Sequence, residues 1–332
     1  MNETARKSFS YDSQKILHVS MIAIVMIGSI VGNSIICFLL VRFKTLRTVP
    51  NILIVNLAVI DILNAVTNMP LMIMWYIYQV PYLKGRAISW FIVTWYVLFM
   101  HLTVFNLTVL TMDRFGAIVH GIHYHSWKTI NKAKAAVFFV WISSAAYTYG
   151  MFTLGLDIDL GDAPVLQYRM HYLKKFGRHF IIPGYVVPFM IMVVMGVAIW
   201  RTLHNHSRRI SAYSSTGKQT KNDVKTAKTI GLTVVAFFCM GVLPMLLHNI
   251  SKVHGSWPHF LAFFLNHLNS MANPIIYSLK TPRFRKAFIL FLKEPLGKSQ
   301  PLMASKNRMD LNSTTRNLSS KVDMFHTQIS SV

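Results

Sequence analysis

The sequence predicts an all-α membrane protein, a seven-transmembrane helix bundle with a short amphipathic helix at the inner surface. Three observations carry this. Of 332 residues, 53% are hydrophobic and only 14% charged, too apolar for an ordinary soluble domain. Seven stretches are free or nearly free of charge: 16–41, 48–83, 87–112, 135–156, 179–200, 229–251 and 254–279. Each reaches the roughly 20 residues that a helix needs to cross a hydrocarbon core. Apolar residues cover most faces of each stretch, unlike a surface amphipathic helix, and none shows the alternation of a barrel strand.

The loops set the orientation. Most of the 34 lysines and arginines follow the first, third, fifth and seventh spans. They include Arg42, Lys44 and Arg47, then Arg114, Lys128, Lys132 and Lys134, then a run from Arg201 to Lys228, then the tail. This bias places the N-terminus outside and the C-terminus in the cytosol of a multi-pass membrane protein. The expected organisation is an extracellular 1–15, a membrane domain with its surface helix over 16–293, and a disordered cytoplasmic tail over 294–332, rich in Ser, Asn and Lys. Residues 205–225 read as a helical extension with a flexible middle. After Lys280, the residues Phe284, Phe288 and Phe291 share one helical face, with basic residues opposite, as in a helix lying on the inner membrane surface.

Composition also bounds the function. The net charge of +23 sits between and after the spans, which points to membrane lipids and cytosolic partners rather than nucleic acid. Cys37 and Cys239 both lie in apolar runs, so neither an outer disulfide framework nor a zinc-ligand spacing is present. The polar start leads straight into the first span and does not read as a cleaved signal peptide. Asn2-Glu3-Thr4 is a glycosylation sequon on the outer side.

Polar residues within the spans carry the chemistry. Asp61 is the one acid well inside a span, and such groups mark functional sites. Asn33, Thr103, Asn269, Ser270 and Asn273 lie near the middle or inner half of theirs. A carboxylate with hydroxyl and amide oxygens suits a hard cation, here sodium, at Asp61, Thr103, Asn269, Ser270 and Asn273. The plainer alternative is a protonated Asp61 bonded to a neighbour. Pro274 removes a backbone bond in the seventh span and makes it a candidate hinge. At the inner end of the third span, the Asp113 carboxylate can hold Arg114 by a charge-assisted bond.

Taken jointly, these motifs resemble those of the rhodopsin-like (class A) G protein-coupled receptors. The matching residues are Gly32-Asn33, Asn56-Leu57-Ala58-Val59-Ile60-Asp61, Asp113-Arg114-Phe115, Trp141, Pro188, Phe238, Pro244 and Asn273-Pro274-Ile275-Ile276-Tyr277. Ile118 and Ile122-His123-Tyr124-His125-Ser126 are similar to the second inner loop of melanocortin- and adenosine-type receptors. The resemblance implies a receptor without enzyme activity. Arg114 would engage a heterotrimeric G protein once the sixth span swings out, and Tyr277 would stabilise the active state. Pro244 and Pro274 would bend their helices, and Val104, Pro188 and Phe238 would form a packing switch. A Ser/Thr-rich tail of this kind implies arrestin and receptor-kinase partners.

The sequence departs from that pattern at several positions. The outer cysteine of the third span is Ser89, the sixth-span tryptophan is Val242, the fifth-span tyrosine is Gly196, and Val224 replaces an acid at the base of the sixth span beside Asp223. The resemblance places the ligand pocket at Trp75, Tyr96, Val97, Met100, His101, Phe180, Gly184, Met245, Leu246, Asn249, Phe263 and His267. Tyr96 stands where amine receptors carry aspartate and His267 where opsins carry lysine. A peptide or an apolar or amphipathic small molecule is therefore expected, rather than a monoamine or retinal. A proton-sensing receptor using His101, His171, His179, His254, His259 and His267 is the first alternative. A transporter or channel is the second, opposed by the absence of internal repeats and of a charged partner for Asp61.

Overall fold

Uninterrupted apolar runs become helices in the computed structural model, which describes residues 3–74, 86–153, 182–210, 217–244 and 256–293. Helix α1 spans Glu3–Arg42 and α2 Val49–Met72, with a 3-10 turn at Lys44–Leu46 between them. Helix α3 covers Arg86–Val119, α4 Gly121–Trp127 and α5 Ile130–Thr153. A π turn at Ile182–Val186 leads into α6, Val187–Ile210, while α7, Gly217–Phe237, runs into a second π turn at Phe238–Val242. Helices α8, Ser256–Lys280, and α9, Pro282–Lys293, are separated by Thr281 alone. The spans are α1, α2, α3, α5, α6, α7 and α8.

Local chemistry explains the boundaries. No glycine or proline lies between Glu3 and Ile16, so α1 begins well before the predicted span. It ends where the Arg47 guanidinium turns back and donates to the carbonyls of Leu40 (3.2 Å) and Val41 (2.6 Å), which lack helical partners. Helix α2 opens with Pro50 in its first turn, where a missing N–H costs nothing. Helix α4 lies within what reads from the sequence as a loop, and Gly121 with φ +29° turns the chain into it.

Four helical segments are each long and apolar enough to cross a membrane by length and composition: Ser13–Arg42, Val49–Met72, Trp90–Val119 and Ile182–Thr202. Helix α8 gives up apolar character to a buried polar face that includes His267, Asn269, Ser270 and Asn273. The exterior is apolar: Ile24, Ile27, Val31, Phe138, Phe139, Ile142 and Val194 are exposed, as lipid-facing side chains must be.

Helix α3 occupies the centre and touches α2, α5, α6 and α7. Helix α1 packs on α2 and α8. The approach to α8 is close enough to need glycine: a Cβ on Gly28 would fall 2.6 Å from the Met271 sulfur, and one on Gly32 2.7 Å from Pro274 Cγ. Helix α9 differs in detail from its predicted role. Its Phe284 and Ala287 are buried in the protein core, and Phe291 meets Phe38 of α1 at 5.1 Å. The phenylalanine face therefore packs on the bundle, and Ile289 and Leu292 are the exposed apolar groups.

Candidate functional site

Helices α1, α2 and α8 converge on a buried polar core. Asp61 is 1% exposed, and Asn273 Nδ2 donates to its carboxylate at 2.7 Å. The Ser270 hydroxyl faces the same carboxylate. Asn64, one turn along α2, donates to Ser270 Oγ at 3.2 Å, and Asn68 donates to Asn64 Oδ1 at 2.8 Å. From α1, Asn33 Nδ2 donates to the Ser270 carbonyl at 3.0 Å and to that of Ser29 at 2.9 Å. The structure thus brings Asp61, Ser270 and Asn273 together. Asn269 is buried in the same helix. Thr103 is committed elsewhere, its hydroxyl donating to the Phe99 carbonyl of its own helix at 3.0 Å. Among the described residues, the amide oxygens of Asn33, Asn269 and Asn273 are buried and have no hydrogen-bond partner.

A second buried network ties α2 to α3 and α5. Asn56 Nδ2 donates to Asn106 Oδ1 at 2.8 Å, Asn106 Nδ2 to the Leu53 carbonyl at 3.1 Å, and Trp141 Nε1 to Asn56 Oδ1 at 3.0 Å. Burial demands such partners, because an unpaired amide in lipid or protein interior is costly. Asn64, Asn68 and Asn106 escaped the sequence reading. Their only signal is an amide inside an apolar span.

At the C-terminal end of α3, Arg114 is 2% exposed and its Nε donates to Asp113 Oδ2 at 2.7 Å, with Nη2 on the same oxygen. The Tyr124 hydroxyl of α4 donates to the other carboxylate oxygen at 2.5 Å. Burial, and then the negative charge of Asp113, push the Tyr124 phenol above its ordinary pKa, so it remains a donor. Its ring lies against Gly116, where a Cβ would sit 2.5 Å from the ring. Tyr277 is fully buried with its hydroxyl toward Thr233 of α7. The arrangement holds a buried guanidinium on one oxygen of a carboxylate whose other oxygen is bound by a phenol, at the junction of α3 and α4.

Toward the opposite end, Tyr96 of α3 accepts a bond from Asn266 Nδ2 of α8 at 2.9 Å and packs edge-on to Phe263 and His267. His101 Nδ1 pairs with the Thr148 hydroxyl at 2.8 Å. A Cβ on Gly184 would fall 2.8 Å from His101 Nε2, so the missing side chain seats the ring. His267 Nδ1 lies 3.5 Å from Asn64 Nδ2, a donor, which suits a neutral ring. Val97 and Met100 are buried in the core beside these rings. Phe189 stacks on Phe238 at 4.3 Å, Val104 is buried, and Pro188 and Pro244 each follow a π turn by two residues. Asn2, Trp75, His171, Phe180, His179, Met245, Leu246, Asn249 and His254 lie outside the described residues, as does the tail. The side chains of Ser89, Val224, Val242 and His259 do so as well. Among the described residues no three His, Cys, Asp or Glu side chains gather as a metal site.

Comparison with known proteins agrees with this geometry. Residues 32–277 match the profile described as 7 transmembrane receptor (rhodopsin family). The chain is 25% identical over 294 residues to somatostatin receptor type 2 of Mus musculus, covering 80% of this chain and 74% of that protein. It is 25% identical to trace amine-associated receptor 13c of Danio rerio, over 88% of this chain and 90% of the other. With the allatostatin-A receptor of Bombyx mori it shares 24% identity over 79% and 75% of the two chains.

Proposed function

Because the chain belongs to the rhodopsin family of seven-transmembrane receptors, it is a multi-pass plasma-membrane receptor for an extracellular ligand that acts on a G protein, and we propose how its residues do this. The N-terminus faces outward. The ligand enters between α3, α6, α7 and α8 and is a peptide or an apolar or amphipathic small molecule. The Tyr96–Asn266 bond supports that class, since a neutral pair stands where a cationic amine would need a counter-charge. The ligand works by differential affinity for two arrangements of the bundle, and its occupancy shifts their populations.

The observation that carries the reading is the Asp113–Arg114–Tyr124 cluster lying one helix away from the Asn273–Asp61 bond. Movement of α7 away from α3 frees the Arg114 guanidinium for the G protein, and Tyr277 leaves Thr233 to support the open state. Val104, Pro188 and Phe238 repack as α6 and α7 shift. A sodium ion fits the polar core of the resting state. Asp61 would supply the charge, and Ser270 and the unpartnered oxygens of Asn269 and Asn273 the remaining ligands. Thr103 contributes only if its hydroxyl oxygen turns inward. The ion would add charge balance and hold the closed packing. Arrestin and receptor kinases would read the Ser/Thr-rich tail.

The test is Arg114→Ala in cells carrying a panel of G protein reporters, screened with peptide and lipid ligand libraries. Signal, basal or evoked, should fall at least about ten-fold while surface expression holds, as expected when one buried charged contact of order 1.4 kcal/mol or more is lost to the active complex. Equal signal in both proteins would sink this mechanism.

A further inference from the structure

At the end of the bundle opposite Arg114, α1 and α8 are joined by an aromatic cluster built around one histidine. His18 of α1 is only 6% exposed. Its ring stacks on Phe260 of α8, with centroids 3.7 Å apart and planes 12° from parallel. Trp257, one turn earlier on α8, meets it edge-on at 4.7 Å. Phe260 is fully buried and stacks in turn on Phe264 at 5.7 Å. Among the described residues, His18 Nε2 has no hydrogen-bond partner. Charged neighbours are scarce. Helix α1 packs on α2 and α8. From Ile62 to Leu83 the sequence has no acid, lysine, arginine or histidine, and from Lys252 to Lys293 it has no acid. The histidines of α8 are His259, whose side chain lies outside the described residues, and His267, two turns deeper than Phe260 and beside Asn64. On α1, Lys15 stands one turn before His18 on the same face, and Asp12 stands six residues before it, about 240° round the axis.

We propose that His18 is a proton-operated latch between α1 and α8, shut while its ring is neutral and open once it is protonated. A neutral imidazole packs here as one more aromatic ring. An imidazolium in the same place is a buried cation with no counter-charge and with Lys15 as a like-charged neighbour. Attraction to the Phe260 and Trp257 rings recovers only part of that cost. The charged ring has an exit. A side chain on a helix leans toward the helix N-terminus, and His18 lies five residues into a span that begins at Ser13. The imidazolium therefore reaches the near membrane surface by turning about its own side-chain bonds, and Phe260 loses the ring it stacks on. Histidine changes charge between about pH 5 and 8, so the latch answers to ordinary acidification. Phe263, one turn on from Phe260, packs edge-on to Tyr96 at 5.6 Å. Release of Phe260 thus loosens a wall of the proposed ligand pocket; this last step rests on the receptor reading, whereas the latch itself does not.

The experiment needs neither ligand nor G protein, so its failure is distinct from failure of the receptor reading. The full chain in phosphatidylcholine nanodiscs is followed by hydrogen exchange at about pH 7.5 and about pH 5.5, on either side of the ordinary histidine range. At each pH it is compared with His18→Phe, which keeps an aromatic ring on Phe260 and takes no proton. At the higher pH the two proteins should exchange alike over residues 14–22 and 256–264. At the lower pH the natural chain should exchange roughly ten-fold faster than His18→Phe in those segments, the effect of one pH unit of differential proton binding at a single group. Residues 101–112 of α3 should not change. His18→Arg carries a permanent charge and should exchange fast at both pH values. Equal exchange of the natural chain and His18→Phe at both pH values would overturn the proposal. So would a difference of the same size at both, an acid-induced gain spread evenly into α3, or slow exchange in His18→Arg. Should His18→Arg not fold, the comparison with His18→Phe decides alone.

Discussion

Prolines show two kinds of helix in one bundle. Pro274 sits inside the unbroken α8, its ring seated against Gly32 of α1. Pro188 and Pro244 instead each follow a π turn, Ile182–Val186 and Phe238–Val242, by two residues. A proline ring clashes with the carbonyl four residues earlier, which is Gly184 in one case and Met240 in the other. Both carbonyls lie inside the widened turns, which relieve the clash. The same division runs through the contacts. Among the described residues, buried amides cross-link α1, α2, α3, α5 and α8, while α6 meets the turn that follows α7 through the apolar stack of Phe189 on Phe238. Directional bonds fix one arrangement, whereas apolar faces admit more than one at similar energy. In the proposed mechanism the first group is the static frame, and α6 and α7 are the moving part.

The strongest way to break the frame is Asn56→Leu. It strands the buried Asn106 Oδ1 and the half-buried Trp141 N–H. The cost should be about 1–3 kcal/mol, more than the ~0.6 kcal/mol of an average interhelical bond, because two groups lose partners together. Thermal unfolding in detergent should drop by several degrees, as expected for that loss. No drop would mean that the amide network does not hold the frame.

Gly32→Val tests the frame through packing instead. Its new Cβ meets Pro274 at 2.7 Å, and neither backbone can yield without moving α1 off α8. The expected cost is about 1–2 kcal/mol, with reduced surface expression. Melting curves of the purified protein decide it.

These two tests also mark what the sequence revealed. The seven spans were legible because lipid demands long apolar runs, and Asp61, Arg114 and Asn273 were legible because polar groups there are rare. Partners were less legible. Asn106 and Asn64 sit on predicted spans, but which amide faces which depends on helix rotation, and that is set by the close approach at Gly28 and Gly32. Thr103 is hard to place for the same reason, since a hydroxyl in a span can satisfy itself on its own helix. Tyr124 read as a loop residue because its role needs the Gly121 corner that swings it under Asp113.

The smallest effect should come from the other side of the division. Gly196 on α6 is exposed, and among the described residues a Cβ built there meets nothing within 4 Å. Glycine in a helix interior is unfavourable by about 1 kcal/mol relative to alanine, and tyrosine by about half that. Gly196→Tyr should therefore leave stability unchanged or raise it by about 0.5 kcal/mol, within the usual range for surface positions. The measurement is the same detergent melt used for Gly32→Val, so the two glycines are compared directly. If Gly196→Tyr cost as much as Gly32→Val, α6 would be packed as tightly as α1. Its π turn would then be a fixed kink rather than a point of freedom, and the separation of frame from moving part would fail at the helix where it is most exposed to test.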